Sequence, residues 1–224
     1  MSRQAAGLLG RSELIRRLTT KNDLVVSPLL ANQIGAASVD LRMGNVVLIV
    51  RARGTSHVDP RAQKRRALAQ KANPGMPTHF DLEINIQQKH ERYEIPFDSH
   101  FLLHPGSLAL VPTLEWIIVP SDLHGSVTAR STWAREGLSI ATATFIEPNY
   151  RGIVTLELAN LGEIPISLFP GMTLAQIAFI ATTGNTSREK IGESQFRMSF
   201  EPMQGKIAPE SDHPFIPSTS SETL

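Results

Sequence analysis

Two polar groupings in the chain have residue types and spacing that could do chemistry. The first is Arg130-Ser131-Thr132-Trp133-Ala134-Arg135, directly after the strand-like run GSVT. A strand that ends in a hydroxyl N-cap and a short helical turn would aim backbone N–H groups and two guanidinium forks at one point, which suits a di- or triphosphate. The local pattern by itself favours the plainer alternative, an ordinary capped turn with two surface arginines. The second grouping is GIVTLELAN, residues 152–160. Period-two alternation puts Val154, Leu156 and Leu158 on one face and Ile153, Thr155, Glu157 and Ala159 on the other. Glu157 is then a carboxylate in the middle of an otherwise apolar strand. It is either at the solvent face or in a pocket where desolvation raises its pKa into the range useful for moving protons.

Other catalytic sets are missing. With no cysteine among the 224 residues, thiol nucleophiles, disulfides and cysteine-ligated zinc or iron–sulfur sites are excluded. The histidines are His57, His79, His90, His100, His104, His124 and His213. His100 and His104 have helical ligand spacing, but FDSHFLLHPG looks extended, and four residues along a strand is roughly 13 Å, too far for one ion. No phosphate-cradling P-loop, no GxGxxG and no HxE plus PCxxC deaminase signature occurs.

The elements that must position these groups are mostly strands. Fifteen Gly and fifteen Pro, spread along the chain, cut it into short pieces, as in an all-β protein with many turns. Six strands are predicted between Gly106 and Ile180: SLALVPTLEWIIVP, GSVTAR, LSIATATFI, GIVTLELAN, IPISLF and MTLAQIAFI. Turns such as Pro148-Asn149 and Pro170-Gly171 separate them. Runs near Leu24 to Val26, Ser38 to Leu41, Val46 to Arg51 and Phe80 to Ile86 would complete two sheets or a distorted barrel. Ser12 offers an N-cap for a short N-terminal helix with Leu14, Ile15 and Leu18 on one side, and Asp59-Pro60 opens a second candidate helix, RAQKRRALAQKA. The expected organisation is one domain over 1–205, with an insertion at about 52–94, and a Pro- and Ser-rich flexible arm over 206–224.

Charge and hydropathy bound the partners. Lys+Arg number 22 against 21 Asp+Glu, a net +1, so no global field favours nucleic acid or a membrane surface. The basic cluster Arg61, Lys64, Arg65, Arg66 and Lys71 lacks interleaved aromatics and is better explained as a solvated insertion than as a nucleic-acid patch. With mean hydropathy −0.09, no signal-like N-terminal run and no 18-residue apolar stretch, the expectation is a soluble cytoplasmic protein with no membrane partner.

Residues 105–180, PGSLALVPTLEWIIVPSDLHGSVTARSTWAREGLSIATATFIEPNYRGIVTLELANLGEIPISLFPGMTLAQIAFI, closely resemble the dCTP deaminase branch of the dUTPase-like superfamily. AASVDLRMGN (36–45), preceded by a short helix and DLVVSP, resembles that family's N-terminal signature. The match runs from about Ser12 to Ile180, broken over His57–Glu94. It implies a mainly all-β, distorted β-barrel of the dUTPase-like type, assembled as a homotrimer with sites between subunits. The implied ligands are dCTP and dUTP, with Mg²⁺ bound through the nucleotide's phosphates and no zinc.

Carried over by resemblance, Arg130, Ser131 and Arg135, within the stretch that includes Thr132, Trp133 and Ala134, would hold the triphosphate. Glu157 takes the position of the family's catalytic glutamate, and the backbone of Thr155 and Leu156 would meet the cytosine edge. Glu147 stands where the family usually has an aspartate contacting the deoxyribose, Tyr150 resembles the aromatic under the sugar that disfavours a 2′-hydroxyl, and Ala143 matches the small residue whose carbonyl helps hold the attacking water. Phe145 stands where an arginine is common. Gln195 and Gln204 are the nearest counterparts of the C-terminal residues that close over the triphosphate, Gln195 standing where a lysine is usual, and a neutral amide offers no charge-assisted phosphate contact. The implied activity is zinc-independent deamination of dCTP to dUTP and ammonia, with a bifunctional form that also releases diphosphate to give dUMP. The alternatives are a dUTP diphosphatase, which shares the fold but activates water with an aspartate where this chain has Glu147, and a non-catalytic nucleotide-binding relative.

Overall fold

The computed structural model describes residues 7–30, 32–50, 90–140, 145–183 and 202. All of them fall in Met1–Arg51 and His90–Gln204, which form one compact unit. The candidate helix after Asp59-Pro60, the run Phe80 to Ile86, the basic cluster and the C-terminal arm lie outside the described residues.

The chain opens with α1 (Arg11–Ile15), which runs on as a π-helical turn, Arg16–Thr20. Its N-cap is Gly10, whose carbonyl accepts from the Leu14 N–H at 3.0 Å, so Ser12 sits inside the helix and is not the cap. The π turn, closed by Lys21 N–H on the Arg16 carbonyl at 2.8 Å, shifts the phase expected of a 3.6-residue period. Leu14 and Leu18 face the core, whereas Ile15 points out and Arg17 is fully buried. The Arg17 guanidinium grips both Asp122 oxygens, at 2.8 and 2.6 Å, and lies 2.9 Å from Asp23.

Twelve strands follow among the described residues: β1 (Val25–Ser27), β2 (Val39–Arg42), β3 (Val46–Val50), β4 (His90–Glu94), β5 (Phe101–Leu103), β6 (Leu108–Ile118), β7 (Leu123–Ala129), β8 (Leu138–Ile140), β9 (Phe145–Ile146), β10 (Arg151–Asn160), β11 (Ile166–Leu168) and β12 (Thr173–Ala181). The expected strand LSIATATFI is two, β8 and β9, on either side of 141–144, which lie outside the described residues. His100 and His104 flank β5, in line with the extended reading of that segment. The sheets are β4-β3-β6-β10-β8, with β1 sharing the β3 edge of β6; β2-β12-β7-β9; and the pair β11-β5. All strand pairings among the described residues are antiparallel, and the inward faces of the two large sheets pack into one apolar core with Leu41, Val127 and Ile177 on one side and Val111, Leu156 and Leu158 on the other. The mainly β architecture with a short N-terminal helix is the one expected from the sequence. Among the described residues no helix is long and apolar enough to cross a membrane.

Two features of this frame matter for the polar residues. Between Ile153↔Trp116 and Thr155↔Pro112 the β6–β10 register shifts. Pro112 has no N–H for the ladder, and Thr113 fills the gap: its Oγ1 accepts from the Val154 N–H at 3.0 Å and donates to the Glu115 carbonyl at 2.9 Å. Glu115, beside this bulge, is fully buried. Its carboxylate accepts from Gln33 Nε2 at 2.8 Å, Arg42 Nε at 2.7 Å and the Arg42 backbone N–H at 2.9 Å, which meets the requirement that an interior charge be paired and hydrogen-bonded.

Candidate functional site

The polar stretch after β7 forms α2 (Ser131–Arg135), a single short turn of helix. Its N-cap is Arg130, in extended conformation, and no side chain caps it, so the hydroxyl N-cap expected from the sequence is corrected: Ser131 is the first helical residue. The helix is docked by hydrogen bonds and packing. Arg130 N–H donates to the Leu174 carbonyl at 2.9 Å, and the Trp133 indole N–H donates to the Thr173 carbonyl at 3.0 Å, with the ring packed on the core. Trp133 is therefore an anchor for α2. Ser131, Thr132, Ala134 and Arg135 remain exposed.

The two arginines behave differently. Arg130 is half-buried, and its Nη1 donates to Oδ1 of Asp40 on β2. Arg135 has no hydrogen-bond or ion-pair partner among the described residues. Of the two guanidinium forks expected to aim at one point, Arg130 has a fixed neighbour and Arg135 is open to solvent. Asp40 was not singled out by the sequence reading; the only signal was its place in AASVDLRMGN.

The C-terminal end of α2 is tied to β10. Gly137, at φ +88°, sits so close to the loop after β10 that an added Cβ would lie 2.6 Å from the Gly162 nitrogen, and the Leu161 N–H donates to the Gly137 carbonyl at 2.8 Å. Asn160, fully buried, fastens this loop: its Nδ2 donates to the carbonyls of Leu103 and Ile164, both at 2.8 Å, and its Oδ1 accepts from Gly162 N–H at 2.9 Å.

Along β10 the predicted alternation holds. Val154, Leu156 and Leu158 are buried, while Thr155, Glu157 and Ala159 are half-buried on the other face; Ile153 departs from it and is buried as well. Glu157 stands opposite Leu110 of β6, and β8 pairs with β10 only from Leu158 onward. Thr155, Leu156 and Glu157 therefore have a strand neighbour on one side alone among the described residues. Removal from water raises the Glu157 carboxyl above the usual carboxylate range, because burial disfavours the charged form.

Glu147 and Tyr150 lie at the other end of β10. Glu147-Pro148-Asn149-Tyr150 is a tight turn closed by the Tyr150 N–H on the Glu147 carbonyl at 3.2 Å, with Asn149 at φ +65°. Pro at the second position and Asn at the third suit that geometry. The Tyr150 hydroxyl donates to the Ile153 carbonyl, and burial pushes its pKa up to about 12, so it stays a neutral donor at any working pH. From Arg151 to Glu157 the strand covers roughly 20 Å. Phe145, exposed on β9, stacks on His124 of β7 with ring centroids 4.5 Å apart; no arginine occupies that edge. Ala143, Gln195 and Gln204 lie outside the described residues.

The donor set around α2, guanidinium and hydroxyl groups with exposed backbone, suits an anion. It does not suit a bare cation, and among the described residues no group of three His, Asp or Glu is placed to hold a metal ion.

Comparison with known proteins gives one consistent family. The family model described as dCTP deaminase-like matches residues 8–182. A protein of Dictyoglomus turgidum named "dCTP deaminase, dUMP-forming" is 34% identical over 172 residues, covering 75% of this chain and 78% of that one. The "dCTP deaminase" of Rhodospirillum rubrum is 31% identical over 198 residues, covering 87% and 94%. The crystal structure of 2′-deoxycytidine 5′-triphosphate deaminase from Agrobacterium tumefaciens superposes with a TM-score of 0.55 at 23% identity, over 80% of this chain and 49% of that chain, a likeness of fold.

Proposed function

Because the chain belongs to the dCTP deaminase-like family, we propose that Glu157 is the proton-transfer group of a hydrolytic dCTP deaminase and that Arg130, Ser131 and Arg135 hold the triphosphate. The single observation that carries this reading is the half-buried carboxyl of Glu157 in mid-strand, with its affinity for protons raised by burial.

The reaction needs no metal-bound hydroxide. The ionised Glu157 takes a proton from water as the water oxygen attacks C4 of cytosine and passes it to N3; it then takes the second proton from the new C4 hydroxyl and delivers it to the amino group, so the C4–N bond breaks, ammonia leaves and the hydroxyl becomes the 4-oxo group of uracil. A carboxyl with its pKa raised by burial is the stronger base when it takes the proton from water in the first step, and its protonated form still donates to a more basic nitrogen in the second. Thr155 and Leu156 offer backbone groups to the cytosine edge, and fixed dipoles in a water-poor cleft stabilise the charge that develops. Tyr150 underlies the deoxyribose and Glu147 contacts it. Ala143 presents its carbonyl to the water, and Gln195 and Gln204 close over the phosphates. Mg²⁺ arrives as part of the substrate, carried on the triphosphate oxygens. The active unit is a homotrimer built from a 1–205 domain, with 206–224 as an arm, working in the cytoplasm.

A second reading concerns the product. The Dictyoglomus relative is named dUMP-forming, which supports subsequent release of diphosphate at the same site. Incubating the protein with dCTP, dUTP or dCMP and Mg²⁺, and resolving the products, tests both readings. Ammonia formed in step with dCTP loss is expected. Diphosphate in step with ammonia assigns the dUMP-forming reaction, and dUTP without it assigns the simple deaminase. Hydrolysis of dUTP with dCTP untouched would overturn the deaminase.

A further inference from the structure

We propose that Asp40 is a positioning residue that sets the Arg130 guanidinium for the triphosphate, an inference that rests on the phosphate-binding reading of α2. Thr128 of β7, Gln176 of β12 and Asp40 of β2 stand in one row across three paired strands. Arg130, two residues beyond Thr128, is on the same face by the period of two. β2 and β7 are both paired with β12, so roughly 10 Å separates them, and Arg130 must extend across the β12 end to reach Asp40. The pair therefore selects one extended arrangement of a side chain that would otherwise sample many.

Asp40 is itself held from behind. Its backbone N–H donates to the Gln33 carbonyl at 2.9 Å, and its carbonyl accepts from Gln33 Nε2 at 3.2 Å. The same Gln33 amide donates to the buried Glu115, which also receives Arg42. A polar chain thus runs from the bulge beside β10 through Glu115 and Gln33 to Asp40 and Arg130. Partly exposed ion pairs such as Arg130–Asp40, with side chains 41% and 22% exposed, contribute little to stability, so support of the fold is a poor account of this one. Asp40 engages one Nη1 corner of a guanidinium that has five donors, leaving Nε and Nη2 to meet phosphate oxygens in the bidentate manner that suits arginine.

The test is a double-mutant cycle on the full chain, reading KM and kcat for dCTP. Asp40→Asn keeps the side-chain shape and every backbone hydrogen bond just named, so folding is retained and is checked by thermal unfolding. It should raise KM about tenfold, the scale of one charge-assisted contact, and change kcat by less than about threefold. Arg130→Ala should raise KM at least as much, and adding Asp40→Asn to it should raise KM no further, since Asp40 acts through Arg130. Asp40→Glu, which restores the charge, should recover part of the loss. If KM responds to Arg130→Ala but not to Asp40→Asn, or if the two effects multiply, the positioning role is overturned while the phosphate reading stands. If KM responds to neither, both are overturned.

Discussion

Gly137 and Gly162 pack backbone against backbone: a Cβ on Gly137 would lie 2.6 Å from the Gly162 nitrogen and 2.8 Å from its Cα. This approach ties the end of α2 to the end of β10, three residues beyond Glu157, so a shift of the proposed phosphate stretch would be felt by the strand that carries the proposed proton-transfer group. The buried Asn160 reinforces it by satisfying three backbone groups of the surrounding loops. A site built this way depends less on α2 itself, which is too short to be stable alone, than on what grips its two ends.

Gly137→Ala should therefore be among the more damaging glycine substitutions. It adds a methyl group against immovable backbone and forces a non-glycine residue to φ +88°, at an expected cost of about 2–4 kcal/mol. Gly171, at φ +87° with nothing within 4 Å of an added Cβ, is the control and should lose only about 1–2 kcal/mol on Gly171→Ala. Denaturant unfolding of both variants measures the difference. Equal losses would show that the close approach contributes nothing.

Glu157→Gln should abolish ammonia release from dCTP while leaving nucleotide binding within about tenfold, because the amide keeps the shape and loses the proton shuttle. The same variant has a pH signature in stability. Burial raises the Glu157 pKa, so the folded protein holds this proton more tightly than the unfolded chain. Below the ordinary carboxylate pKa both states are protonated and the residue carries no penalty. As pH rises through the ordinary value towards the raised one, the unfolded chain ionises first and the folded state loses ground. The glutamine variant has no such group, so its stability relative to the parent should increase as pH rises above the ordinary carboxylate value, about 4, until the folded carboxyl has ionised as well. Parallel stability curves would remove the buried, proton-holding carboxyl from the account.

How much of this was legible in the sequence depends on distance along the chain. The in-and-out alternation of β10 and the turn at Pro148-Asn149 are local, and the residues between 152 and 160 announce their faces directly. By contrast, β4 was missed because HERYE shows no apolar alternation; among the described residues its strand partner is β3, whose central residues are buried, so the pairing supplies what the propensity does not. The N-terminal helix was placed correctly and capped wrongly, because its N-cap is Gly10, which has no side chain to signal it; its burial phase slipped because the π turn over Arg16–Thr20 leaves no mark in a 3.6-residue pattern. The Arg130–Asp40 pair joins residues 90 positions apart, and nothing local to either one signals the other. The proposed catalytic residues came from resemblance, and the geometry supplied what supports them.

Arg135→Ala should raise the KM for dCTP by about tenfold or more, as expected for loss of a charged phosphate contact. Arg61→Ala, in the basic segment, should leave it within about twofold. Arg135 is exposed and has no partner among the described residues, so its removal should leave the unfolding midpoint unchanged, which separates a binding effect from a folding one. Comparable KM changes for the two variants would move the anion site to the basic segment.

The last expectation is that the sites are completed between subunits of a homotrimer. One chain carries Glu147 and Tyr150 where β10 begins and α2 where β10 ends, with Glu157 nearer the second end. The groups proposed to meet the sugar and the phosphates are therefore at opposite ends of one strand, and closed rotational symmetry is an economical way to bring one chain's α2 to a neighbour's Glu147, Tyr150 and Glu157. If Arg130, Ser131 and Arg135 come from one subunit and Glu157 from the next, two inactive proteins can repair each other. Chains carrying Ser131→Ala with Arg135→Ala, and chains carrying Glu157→Gln, would be unfolded, mixed and refolded. At equal mixing, each interface in a random trimer draws its two contributing chains independently, so about one site in four receives an intact phosphate stretch and an intact Glu157. Activity should thus return to roughly a quarter of the parent value, with light scattering reporting three chains per particle. A monomer, or refolded mixtures as inactive as their parents although tagged subunits are shown to have exchanged, would overturn the shared site.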